Sequence, residues 1–133
     1  MSGAGCVKYI VREPFQQAVK SVEKALADRG LRSPGFLDIA RRVEQHLGIV
    51  LPSCRIVFVQ PDPLVFSPVW IHPRAALFLP LHVVISSHHA QTSVVIQSRF
   101  HASPRVFASP VMETQALLSD AIEAVGMRTG LSG

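Results

Sequence analysis

The sequence predicts an α+β domain in which helices pack on one face of a small four- to five-stranded mixed or antiparallel sheet. Three observations predict it. Apolar residues recur at helical spacing from Phe15 to Leu26 and again from Leu117 to Val125. The run Cys54 to Gln60 (CRIVFVQ) is rich in β-branched residues and apolar on both faces. Two further strand-like segments, Leu81 to Ile85 and Thr92 to Phe100, are separated by a short polar stretch, which reads as a hairpin. With 133 residues, of which 48% are hydrophobic, the chain has material for one core, so residues 1–133 form a single domain.

Along the chain, Cys6 to Val11 alternates with one clearly apolar face and is read as a strand. Pro14 opens a helix at its first turn, where a missing N–H costs nothing. Its stripe is Phe15, Ala18, Val19, Val22, Ala25 and Leu26, and Gly30 supplies the left-handed stop. A second, shorter helix starts from Asp38 as N-cap. It carries Ile39, Val43 and Leu47 one turn apart and ends at Gly48. Cys54 to Gln60 is expected as an interior strand. Pro61, Pro63, Pro68 and Pro73 break any long helix between residues 61 and 75. A strand interrupted at Pro80 follows, from Leu77 to Leu79 and Leu81 to Ile85. Ser86 to Gln91, through His88 and His89, is expected as a hairpin loop longer than two residues. The last helix is expected from Val111 to Met127, with Gly130 past its end.

Composition narrows the function classes. Only 17% of residues are charged, and mean hydropathy is +0.31, which excludes intrinsic disorder and a charged tail. Thirteen Lys+Arg against nine Asp+Glu give a net charge of +4. The cations are dispersed among acids, with Arg41-Arg42 the only adjacent pair, so no specific nucleic-acid binding is expected. The longest apolar run, Ala75 to Ile85, is about half a membrane span, so no membrane insertion is expected. No secretory h-region is present near the start, and the protein reads as cytoplasmic, with Cys6 and Cys54 reduced and structural. Between Asp62 and Glu113, the only charged residues are Arg74, Arg99 and Arg105. So uncharged a region predicts apolar surface covered by a second copy, most simply in a dimer.

From Pro14 to the last helix the chain resembles the domain-of-unknown-function-302 family of small bacterial and archaeal α+β proteins. The likeness rests on the first amphipathic helix ending in Gly30 and on the D-I-x-x-x-V-x-x-x-L-G helix from Asp38 to Gly48. It also rests on the P-x-C-R-I entry at Pro52 to Ile56 and the L-F-L-P segment at Leu77 to Pro80. The family commonly shows a Cys-Asn-Pro after the strand and a Pro-Cys-Asn at the later one. Here Gln60-Pro61-Asp62 and Pro80-Leu81-His82 stand in those places, so thiolate chemistry does not carry over. The resemblance implies a loose connection with sulfur metabolism, through members associated with sulfur-oxidation proteins.

No catalytic signature stands out. There is no G-x-S-x-G elbow, no glycine-rich phosphate loop and no paired carboxylate in the central fifty residues. An enzyme is therefore not the expected class. The expected function is a non-catalytic binding or assembly protein that holds a small apolar or planar ligand, or a partner protein, as a homo-oligomer. Its candidate ligand-binding residues are His82, Gln60, Arg55 and Trp70. His82 lies in an apolar strand and is expected to be buried and hydrogen-bonded, because an unsatisfied buried polar group is costly. Arg55 is expected on the opposite strand face from Cys54. His88 and His89 are read as solvated, diverging turn residues and His46 as a surface residue. The alternative class is a haem or metal protein with His82 or His72 as ligand and Phe66, Trp70 and Phe78 as an apolar wall.

Overall fold

The computed structural model describes residues 5–61, 81–97 and 105–132. Among them the elements run β1 (Cys6–Val11), α1 (Phe15–Asp28), β2 (Leu31–Arg32), β3 (Phe36–Asp38) and α2 (Ile39–Leu47). Then come β4 (Cys54–Pro61), β5 (Leu81–His88), β6 (Gln91–Gln97), α3 (Arg105–Val125) and β7 (Met127–Ser132). The architecture is α+β, with three helices and an open antiparallel sheet. The sheet has seven strands, more than the four or five expected. Short β2 and β3 both pair with β4, and the order continues β4-β5-β6-β1-β7.

The extra strands explain themselves. β2 and β3 are two and three residues long, too short to show a period in sequence. β7, MRTGLS, does not alternate and is recruited by the free edge of β1. Its entry needs Gly126, because a Cβ there would lie 3.1 Å from Val11 Cγ2 and 3.2 Å from the Ile10 carbonyl oxygen.

The core follows strand parity. Val57, Val83, Ile96 and Val7 make one row across four strands, and Ile85, Val94 and Tyr9 lie in the next. Onto these buried residues pack Ala18, Val19, Val22, Ala25 and Leu26 of α1 with Leu118, Ala121 and Ile122 of α3. Thr92, fully buried, donates its hydroxyl to the Glu13 carbonyl at 2.8 Å. Tyr9, also buried, donates to Glu123 of α3 at 3.1 Å. Burial, reinforced by the neighbouring Glu123 carboxylate, raises the Tyr9 phenol above its ordinary value.

The first helix forms as its stripe predicts, with Gly30 at φ +72° beyond its end. Two sequence expectations shift. α3 starts at Arg105 and runs through Pro110, whereas the sequence places its start at Val111. A proline in the second turn forfeits one backbone bond, and Leu118, Ala121 and Ile122, which pack into the core, lie downstream of it. The hairpin is tighter than expected, since β5 extends to His88, β6 begins at Gln91, and only His89-Ala90 turn. His89 accordingly takes a left-handed φ of +56°, a conformation with no Gly or Asn signal in this sequence. The expected strand at Leu77 to Leu79 lies outside the described residues. No helix among the described residues is long and apolar enough to cross a membrane.

Candidate functional site

The sheet has a second face, made by the residues of opposite parity. One row across it reads Leu37, Ile56, Val84, Val95 and Lys8, and another Cys54, Ser86, Ser93 and Ile10. Phe58 sits opposite His82 on the same face. Leu37, Ile56, Phe58, Val84, Val95 and Ile10 are all half-buried, in contrast with the fully buried residues against α1 and α3.

His82 does not lie inside. Leu81, Val83 and Ile85 occupy the inward positions of β5, and the two-residue strand period turns His82 outward, where it is exposed. Gln60, half-buried, shares this face and this end of the sheet, two residues along β4 from Phe58. The structure therefore brings His82, Phe58 and Gln60 together and leaves Arg55 on the other face. Trp70 and His72 lie outside the described residues. His46, His88 and His89 are exposed as expected, but the last two do not diverge. Their rings meet edge to face, with centroids 4.9 Å apart.

Cys54 and Arg55 point to opposite faces of β4, as strand geometry requires. Both cysteines are free thiols. Burial, and then the nearby Asp38 charge, push the Cys54 thiol above its ordinary range, so it is a poor nucleophile at neutral pH. Alkylation of Cys54 at pH 8, followed by mass spectrometry, should run slower than that of free cysteine. No cluster of three or more His, Cys, Asp or Glu that could hold a metal occurs among the described residues.

Arg55 extends the core row of Tyr9, Val94 and Ile85 to the edge of the sheet, next to Asp38 of β3. Its guanidinium carbon lies 4.1 Å from the centre of the Phe36 ring and 5.9 Å from that of Phe15. Its Nε is buried and has no hydrogen-bond partner. A buried donor left unmade costs about 1–3 kcal/mol, and stacking on an exposed ring returns only about 0.5–1 kcal/mol. The protein alone thus leaves Arg55 incompletely satisfied. Phe36 itself is 51% exposed and walls a shallow depression between β3 and α2, which Asp38, Arg41, Arg42 and His46 also line. Sequence reasoning missed Phe36, Arg41 and Arg42 as site residues. A three-residue strand carries no periodicity that would reveal which way Phe36 faces.

Comparison with known proteins agrees with the architecture. The uncharacterised conserved protein DUF302 from Bacillus stearothermophilus, a crystal structure, superposes with a TM-score of 0.59 over 90% of this chain and 88% of its own, at 16% sequence identity. No curated protein matches. The sequence pattern of the family described as "Domain of unknown function DUF302" matches residues 7–125. The chain belongs to the DUF302 family.

Proposed function

We propose that this protein is a non-catalytic assembly and binding module that works as a homodimer, with the second face of its sheet packed against a second copy. The observation that supports the reading is the row Leu37, Ile56, Val84 and Val95, flanked by Phe58 and Ile10. It is an apolar surface on the side of the sheet away from α1 and α3. A two-fold pairing covers such a patch with itself and leaves the mixed-charge faces of the helices in water. The test is sedimentation velocity or native mass spectrometry at micromolar concentration. A dimer that dissociates on Val84→Glu is expected, and a single monomeric species for the unmodified chain overturns the reading.

The alternative, a haem or metal held through His82, is favoured by one observation. The imidazole is exposed beside Phe58 and Gln60 on an apolar face, where a planar group could lie flat. Titration with haem separates the two readings. A Soret shift abolished by His82→Ala supports ligation, and an unshifted spectrum removes it.

A further inference from the structure

We propose that the tip of the β5–β6 hairpin is a metal-chelating site. His88 and His89 together hold one borderline transition-metal ion, of the zinc or nickel kind, through their imidazole nitrogens. The pair stands at the far end of β5 from His82, about 20 Å along the strand, so it rests on neither the dimer nor the haem reading.

Two neighbouring histidines within a strand would leave it on opposite faces. Here they do not. His88 closes β5 opposite Gln91, and His89 opens the turn at φ +56°, a backbone region that residues other than Gly, Asn, Asp and His seldom enter. With the chain reversing at this residue the two rings meet, their centroids 4.9 Å apart. Glycine would take the same backbone at no steric cost. A side chain kept where glycine would serve the turn better points to a use for that side chain.

The spacing is the one a shared metal demands. An imidazole nitrogen sits about 2.0–2.1 Å from zinc, which places the ring centre roughly 3.1–3.2 Å from the ion. Two rings on one ion, at an angle between about 90° and 110°, then have centres roughly 4.4–5.2 Å apart. The observed 4.9 Å falls within that range. The rings meet edge to face, with 67° between their planes. Each ring centre lies on its own Cβ–Cγ axis, and that torsion is broad for histidine. Turning the rings therefore brings two nitrogens together without changing the spacing. Both side chains are exposed, which leaves room for the turn and lets solvent deliver the ion.

The surroundings do not oppose a cation. The hairpin from Leu81 to Gln97 carries no Lys, Arg, Asp or Glu. On the neighbouring strand, Arg12 and Glu13, of opposite sign, follow Val11, which pairs with Thr92. Two protein donors leave the other coordination positions to water or to a donor brought by another molecule. That is the pattern of an open site rather than a closed structural one.

The experiment is a zinc titration of the full chain, read by calorimetry and by the imidazole NMR signals of the histidines. Zinc alone is the probe, and magnesium, which prefers oxygen donors, is the control. One ion per chain is expected, with the His88 and His89 signals shifting together and saturating at the same point. His88→Gln and His89→Asn should each weaken binding at least about tenfold, since each leaves one imidazole where two shared the ion. Asn accepts the left-handed backbone, so the second variant keeps the turn while losing the ring. His82→Ala should leave the zinc isotherm unchanged, which separates this outcome from the haem test. Loss of zinc binding in His82→Ala, unchanged affinity in either hairpin variant, shifts shared evenly with His46, or an equal response to magnesium overturns the proposal.

Discussion

Helices α1 and α2 look alike in sequence and live differently in the structure. Both are amphipathic, with apolar residues one turn apart. α1 buries Ala18, Val19, Val22, Ala25 and Leu26, yet its N-cap is Pro14, which offers no side-chain acceptor. α2 buries no residue fully, leaving Ile39, Ala40 and Val43 half-buried, and has complete caps. Asp38 accepts from Arg41 at its start, and Gly48 at φ +69° closes its end with a bond to the Glu44 carbonyl. Leu47 at its last position is 68% exposed, and Val50 just beyond is 78% exposed. One helix is held by what it packs on and the other by its own termini. An apolar stripe therefore predicts that a helix forms but not that its stripe is covered.

The contrast can be attacked from both sides. The largest effect should come from α1, where Leu26→Ala empties a position only 2% exposed. A loss of about 3 kcal/mol in denaturant unfolding is expected. Next is Gly48→Ala, which forces a β-carbon into the left-handed region at about 1–2 kcal/mol. That loss should appear in hydrogen exchange of α2 before it appears in global unfolding, because α2 is not tied to the core. Asp38→Ala removes the cap and should cost about 1 kcal/mol, read in the same way. Leu47→Ser should change stability by no more than about 0.5 kcal/mol. A much larger loss would show that the apolar end of α2 is covered in solution, and would break the comparison.

The smallest effect is a pH response on the packed side. Tyr9 has a raised pKa in the folded chain, so the folded state holds its proton more tightly than the unfolded one. That stability is fully present below the ordinary tyrosine value near 10 and fades as pH rises through the folded value. A melting temperature that drifts downward above pH 10, and less steeply in Tyr9→Phe, is the expected record.

Elements with long periods were legible from the chain. The stripe of α1, the Asp38 and Gly48 ends of α2, and the strands at Cys6, Cys54 and Leu81 stand close to where sequence places them. Alternation also contained the orientation of His82, since Leu81, Val83 and Ile85 leave it no inward place. The expectation of burial came from the apolar neighbourhood and overlooked that parity. What sequence could not show were features made by pairing alone. β2, β3 and β7 exist because an edge of β4 or β1 is available to them. The two-residue turn places His89 in a conformation usually marked by Gly or Asn. Of the candidate site residues, His82 and Gln60 came together through register. Arg55 found its meaning only beside Phe36, whose facing is set by a three-residue strand.

The position of β1 has a consequence for how the chain reaches this state. It comes first among the described strands in chain order, and it finishes as an inner strand between β6 and β7. Its partners Thr92 to Gln97 and Met127 to Ser132 follow roughly eighty to one hundred and twenty-five residues later. A ribosome must therefore deliver the chain through β6 before β1 gains its first neighbour, and through β7 before it gains the second. High contact order of this kind slows folding and lengthens the time an apolar strand spends with both edges open.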